Sequence, residues 1–195
     1  MARLKLGVLI SGRGSNLQSL IDACRDPAYP AEIALVISNV PGVQGLERAQ
    51  KAGIPAVTIN HKEYGSRESF EQALTEALRN AGVELVCLAG FMRLVTAGFL
   101  ERWPGSVLNI HPSLLPAFKG IHVHERVIEA GVKFSGCTVH YVVPEMDAGP
   151  IITQACVPVQ EGDDADALAA RVLEQEHVIY PMAVRLVAEE RLGAA

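Results

Sequence analysis

Asn109 and His111 stand two positions apart in the run Asn109-Ile110-His111-Pro112-Ser113-Leu114-Leu115-Pro116. On an extended strand such residues share a face, so an amide donor and an imidazole project side by side while Ile110 turns to the core. That pair suits a site that stabilises negative charge or passes a proton. An isolated Asn-x-His is more often satisfied loop chemistry, and a partner would change the balance. Asp147, in the turn Glu145-Met146-Asp147-Ala148-Gly149-Pro150, is a candidate. A carboxylate beside an imidazole fixes the ring and favours its charged form, although turn propensity alone also explains an Asp here.

Ser11-Gly12-Arg13-Gly14-Ser15-Asn16 offers a second chemistry. It lies between an apolar run and a helical pattern, where free backbone N–H groups and the helix dipole receive an anion such as phosphate. It is not a dinucleotide fingerprint, because Leu17 occupies the third glycine position and no acidic residue closes the second strand at Ser38 and Asn39. Nor does a Lys follow its last glycine, as a P-loop requires. A tight turn that merely needs glycine is the competing reading. His122-Val123-His124 has metal-ligand spacing, with His140 and His177 elsewhere, but it falls in an expected loop without a supporting Cys or carboxylate cluster. No metal is expected, and loop packing or substrate contact is preferred.

These residues need a scaffold, and the spacing supplies one. Leu4 to Ile10 reads as a strand, and Leu17, Leu20, Ile21 and Cys24 mark one helix face. Strands are expected at Glu32 to Ser38, Pro55 to Ile59 and Glu84 to Ala89, with helices over Leu46 to Lys51 and from near Ser66 to Gly82. This alternation implies a mainly parallel twisted sheet with helices on both faces and right-handed crossovers. Further on, Val107 to Ile110, Cys137 to Val143 and Ile151 to Val159 read as strands separated by loops, which adds antiparallel strands in the C-terminal half. Asp163 to Arg191 is helical, capped by Asp163 or Asp164, with a break or bend expected at Pro181.

The 195 residues suit one α/β domain, and 49% hydrophobic content supports a large core. A net charge of −5 argues against a general binder of nucleic acid or anionic membranes. Cys24, Cys87, Cys137 and Cys156 lie far apart without a CxxC pair, and read as buried reduced thiols of a cytosolic protein. The apolar run near the N-terminus is too short for a signal peptide, and the longest apolar region, Leu85 to Leu100, is interrupted by Arg93 and two glycines. A cytoplasmic location is therefore expected.

With ISGRGSNLQSLIDA, LAGFMRLV, LNIHPSLLPAFKGIHVH, GCTVHYV, MDAGPII and EQEHVIYP in this order, the chain resembles the phosphoribosylglycinamide formyltransferase family over nearly its whole length. The resemblance implies a single formyltransferase domain over residues 1–195, its N-terminal half binding a ribonucleotide phosphate and its C-terminal half folate and catalysis. Asn109, His111 and Asp147 match the family's catalytic trio, Gly14, Ser15 and Asn16 its phosphate loop, and Glu176 a contact to the glycinamide part. Arg67, Met92, Arg93, Leu94, Val95, Asn109, Val143, Pro144, Glu145, Met146 and Asp147 match folate-binding positions, with main-chain groups of Arg93 and Val95 on the pterin. The implied reaction is formyl transfer from 10-formyltetrahydrofolate, a cosubstrate, to the amino group of glycinamide ribonucleotide in purine synthesis, without metal. Partners are then small-molecule substrates, with neither nucleic acid nor membrane, and a homodimer is compatible. Val127-Ile128 departs from the family's small-then-Leu pair. A formyltetrahydrofolate hydrolase and a non-catalytic folate or nucleotide module are the alternatives.

Overall fold

A computed structural model describes residues 2–193. Its strands are β1 (Leu4–Ile10), β2 (Ala31–Ser38), β3 (Ala56–Thr58), β4 (Leu85–Leu88), β5 (Val107–His111), β6 (Phe134–Tyr141) and β7 (Ile151–Pro158). They form one seven-stranded sheet in the order β3-β2-β1-β4-β5-β6-β7. Neighbours from β3 through β5 pair in parallel, whereas β5 with β6 and β6 with β7 are antiparallel. The helices are α1 (Ser15–Cys24), α2 (Gln44–Lys51), α3 (Arg67–Asn80), α4 (Ala97–Arg102), α5 (Val123–Ala130) and α6 (Ala165–Gly193). The expected single α/β domain, with antiparallel strands toward the C-terminus, is the architecture observed.

Two apolar layers sandwich the sheet. Leu4, Leu6, Val8 and Ile10 of β1 face a core shared with α1, α2, α5 and α6, while Leu9 faces one shared with α3 and α4. Gly7 belongs to the α3 side, where a Cβ would overlap Leu78 and press on Val83. The missing side chain therefore lets α3 approach the strand closely.

Local signals explain most boundaries. Ser66 caps α3 by accepting the Ser69 N–H at 3.1 Å, and the Ser69 hydroxyl returns to the Ser66 backbone, a reciprocal cap that satisfies two otherwise free donors. Asp164 caps α6 through the Ala167 N–H at 2.8 Å. The break expected at Pro181 does not occur: α6 continues through it. Buried Ile179 and Tyr180 before the proline and Ala183, Val184 and Val187 after it hold both halves to one core, which outweighs a lost N–H donor. The Tyr180 hydroxyl, fully buried, donates to the Leu88 carbonyl at 2.9 Å and lies 3.4 Å from that of Leu108, pinning α6 across β4 and β5.

The chain leaves β1 for β2 on one side, and returns to β4 on the other. Loops after β1 and β4 consequently diverge at the carboxyl ends of these strands and leave a crevice, the usual ligand position in open α/β sheets. No described helix is long and apolar enough to cross a membrane.

Candidate active site

Strand pairing builds the centre of the crevice. Asn109 and His111 occupy alternate positions of β5, and the antiparallel register sets them opposite His140 and Thr138 of β6. The Asn109 amide nitrogen lies 3.3 Å from His140 Nε2. His140 Nδ1 lies 2.9 Å from the Tyr141 carbonyl, so this nitrogen carries the proton and Nε2 accepts from Asn109. Burial lowers the His140 pKa below the ordinary histidine value, with the Tyr141 carbonyl and Asp147 opposing it. A neutral His140 thus fixes which way the Asn109 amide points.

Asp147 arrives from the segment between β6 and β7. This segment is closed by Tyr141 N–H donating to the Pro150 carbonyl at 2.9 Å, and by Gly149, where a Cβ would overlap the Tyr141 carbonyl. Asp147 adopts a left-handed backbone, φ 49°, that aims its carboxylate inward. One oxygen lies 3.5 Å from His111 Nδ1 and accepts the Gly120 N–H at 2.8 Å, while the other is 4.0 Å from His140 Nε2. His111 Nε2 meets the Phe118 carbonyl at 3.0 Å. Both ring nitrogens of this buried His111 therefore face oxygen atoms.

The loop carrying Phe118 and Gly120 is itself tied down. Arg126 of α5 donates to the Lys119 carbonyl at 2.6 Å, and its guanidinium stands 5.7 Å from the Phe118 ring centre. Phe118 and His122 both have φ of 53°.

Three cavities meet around this cluster. A groove of about 690 Å³ is lined by residues 11–16, Met92, His124 and Asp166, Ala169, Ala170, Leu173 and Glu176 of α6. A slot of about 420 Å³ lies between Arg67, residues 93–97 and Val142 to Asp147. A cleft of about 550 Å³ containing His111 shares Met92 and His124 with the groove, and Asn109 and Asp147 with the slot.

At the groove, Gly14 begins α1 with φ 71°, and no side chain caps the first turn. The loop is held from behind: Gly45 N–H of α2 donates to the Gly12 carbonyl at 3.1 Å, and Arg48 donates to that of Arg13 at 2.8 Å. A Cβ on Gly14 would press on the Gly45 backbone, so both glycines are needed for this approach. Uncapped N–H groups beside an open groove suit an anion. Deeper in, Asn16 donates to Glu176 at 2.7 Å. Burial raises the Glu176 pKa, with the Asn16 hydrogen bond opposing it. The Asn16 side-chain oxygen is buried and has no hydrogen-bond partner among the described residues.

Residues 4–184 match the model of a family described as formyl transferase. The chain belongs to the formyl transferase family. This formyl transferase is 44% identical to the phosphoribosylglycinamide formyltransferase of Haemophilus influenzae, over 96% of its own length and 89% of the relative's. It is 53% identical to a trifunctional purine biosynthetic protein adenosine-3 of Gallus gallus over 95% of its own length, and spans 18% of that relative. Among solved structures, it superimposes on glycinamide ribonucleotide transformylase 1 of Symbiobacterium toebii with TM-score 0.95 and 51% identity, covering 97% of this chain and 89% of the other.

In this formyl transferase, Asn109, His111 and Asp147 surround one cleft, Gly14 to Asn16 and Glu176 line the groove, and Arg67, Arg93 to Val95 and Val143 to Asp147 line the slot. Met92 is apart from the slot, on the wall between groove and cleft. His122 lies in the loop as expected, at the entrance to α5 and without a side-chain cap, but His124 does not: it sits in the first turn of α5, because buried Val123 and Val127 draw that segment into a helix. Among the described residues no group of three or more His, Cys, Asp or Glu has metal-site geometry. All four cysteines are free, yet only Cys87 and Cys137 are fully buried; Cys156 is exposed, since it points outward from the edge strand β7. Sequence reasoning did not single out His140 beside Asn109, Arg48 behind the glycine loop, or the Phe118 carbonyl on His111. His140 is placed by the β5–β6 register, which the folded sheet defines, and the other two have no sequence signal.

Proposed function

We propose that this chain transfers a formyl group from 10-formyltetrahydrofolate to the amino group of glycinamide ribonucleotide. The observation that carries this reading is the cluster of Asn109, His111 and Asp147 in a cleft that shares walls with the groove on one side and the slot on the other. The ribonucleotide phosphate lies on the Gly14, Ser15 and Asn16 backbone, and Glu176 holds its glycinamide end. Folate enters the slot, with its pterin against Arg93 to Val95 and Val143 to Asp147, and its acidic tail toward Arg67.

In the reaction the ribonucleotide amine attacks the formyl carbon, and the new C–N bond pushes the carbonyl electron pair onto oxygen. The second N–H of the Asn109 amide and a His111 N–H stabilise this oxyanion; one such donor is worth about 10²–10³ in rate. His111 Nε2 is committed to the Phe118 carbonyl here, so this carbonyl gives up its place when the formyl oxygen binds. Asp147 holds Nδ1 and accepts, directly or through water, the proton released by the attacking nitrogen. Collapse of the intermediate re-forms the C=O bond and breaks the bond to the folate nitrogen, which takes up the proton that Asp147 accepted, and releases tetrahydrofolate and the formylated ribonucleotide. Every bond change uses side chains of this site, with no enzyme nucleophile.

Homodimer formation stays a proposal, tested by sedimentation. The reaction is tested by following tetrahydrofolate release with and without glycinamide ribonucleotide. Release that depends on the ribonucleotide supports transfer; release without it identifies a hydrolase, and tight binding without turnover a non-catalytic module.

A further inference from the structure

Segment 90–95, whose Phe91, Arg93, Leu94 and Val95 line the slot while Gly90 and Met92 border the groove, has no regular secondary structure. Among the described residues, one hydrogen bond anchors its backbone between Ala89 and Thr96: the Met92 N–H donates to the Ser11 hydroxyl at 2.8 Å. The same hydroxyl donates to the Asn39 side-chain oxygen at 2.5 Å. Asn39 is only 2% exposed, and its amide nitrogen lies 3.2 Å from His61 Nδ1. Asn39, Ser11 and Met92 follow β2, β1 and β4, which are adjacent in the sheet. The three polar groups thus form a row across the carboxyl ends of those strands.

The chemistry of the row gives it a direction. A hydroxyl has one proton, so donating it to Asn39 leaves the Ser11 lone pairs for the Met92 N–H. Asn39 presents its side-chain oxygen to Ser11, and His61 Nδ1, 3.1 Å from the Asn39 main-chain carbonyl and 3.2 Å from its side-chain nitrogen, closes the far end of the row. Phe91 and Val95 pack loosely on the α3 and α4 core, and Arg93 stacks 5.6 Å from the centre of the Phe70 ring. These contacts are lateral, whereas the Ser11 bond alone fixes the peptide plane at Met92. Residue 11 also begins the glycine loop of the groove, one peptide before Gly12.

We propose that Ser11 is a positioning residue that holds the folate-side segment 90–95 in register with the phosphate loop, under the orientation set by Asn39. This rests on the assignment of folate to the slot. Through it the wall between groove and slot has its Met92 peptide plane set by one hydroxyl. Loss of that hydroxyl frees the peptide planes that read the folate edge, while Gly14 to Asn16 stay held by Gly45 and Arg48.

The test compares Ser11→Ala, Ser11→Thr and Asn39→Ala with the parent chain, using steady-state kinetics, calorimetric titration of tetrahydrofolate and amide hydrogen exchange at Met92. Ser11→Ala is expected to raise the folate KM and the tetrahydrofolate Kd about tenfold, as one lost hydrogen bond implies. Ribonucleotide KM and kcat at saturating folate change less than about threefold, and Met92 exchange accelerates. Ser11→Thr restores the folate KM, and Asn39→Ala added to Ser11→Ala costs little more, because both act through one bond. A parallel rise in both KM values, or unchanged Met92 exchange, overturns the proposal. A parent chain that binds no tetrahydrofolate defeats the folate assignment itself and with it the proposal, whatever the exchange at Met92 shows.

Discussion

His111 and Asp147, 36 residues apart in the chain, meet with Nδ1 and a carboxylate oxygen 3.5 Å apart in a site where both side chains are nearly buried. The same oxygen holds the Gly120 N–H, so the carboxylate orients the ring and the covering loop together. Asp147→Asn is expected to lower kcat by about 10²–10⁴, the range of general acid–base contributions, with both substrates still bound. Steady-state kinetics with calorimetric binding of each substrate checks this. A rise in both KM values with unchanged kcat would remove Asp147 from the chemistry.

Asn109→Ala removes one oxyanion donor and should lower kcat by about 10²–10³. Combined with His111→Ala, the loss should fall well short of the product of the single losses, since both groups act on one intermediate. A double-mutant cycle on kcat/KM measures this directly, and strict multiplicativity would mean that the two residues act separately.

The buried neutral His140 links pH to stability. A base whose pKa is lowered by folding contributes stability that is present above the unfolded value of about 6.5 and is lost as pH falls below it. The urea midpoint should therefore drop on going from pH 7.5 to pH 5, and His140→Gln should reduce the dependence. Stability that is flat across this window in the parent chain would show that the ring becomes charged without cost.

Glu176 works in the opposite sense. Its pKa is raised mainly by burial, so folding is favoured below the unfolded value of about 4.3, and this contribution is lost as pH rises through the folded value. At pH 8, Glu176→Gln should leave the Asn16 contact in place and raise Tm by about 2 °C, equivalent to less than about 1 kcal/mol. The ribonucleotide KM should rise about tenfold at the same time, because the charge that meets the glycinamide end is gone. Unchanged KM would free Glu176 from substrate contact.

Arg67 begins α3 and lines the slot. Arg67→Ala is expected to raise the folate KM about tenfold and change kcat little, since an ion pair with the acidic tail is present in ground and transition states alike. Comparing folates with and without the glutamate tail checks this: the tail-less substrate should not distinguish the variant.

Elements with a local signal were legible in the sequence, and those decided by tertiary packing were not. α3 has its cap at Ser66 and its stop at Gly82, so both ends could be placed. α4 is capped by the Thr96 hydroxyl, which accepts the Phe99 N–H, but at six residues with Gly98 among them it is too short for a helical period to show, and α5 starts from His122 in a left-handed conformation with no side-chain cap. β6 begins at Phe134 and not near Cys137, because Gly136 interrupts the strand pattern; it is tolerated there since the Ala155 carbonyl occupies the space of a side chain. Alternation along β5 placed Asn109 and His111 on one face, but the pairing with His140 depends on a register that only the folded sheet defines. The Phe118 carbonyl is a main-chain group on a loop, and such contacts leave no trace in residue types.

The Tyr180 pin makes α6 a ruler. Glu176 faces the groove and Tyr180, about one turn later, grips the carbonyls of the two strands that lead into the cleft. Adding one residue between them would advance the later residue by about 1.5 Å and rotate it by about 100°. Glu176 would then leave the groove, or the hydroxyl would leave its carbonyls. Length changes should be poorly tolerated between positions 176 and 180, and easily absorbed only beyond Arg191, whose guanidinium donates to the Glu84 and Gly105 carbonyls and ties down the end of the helix.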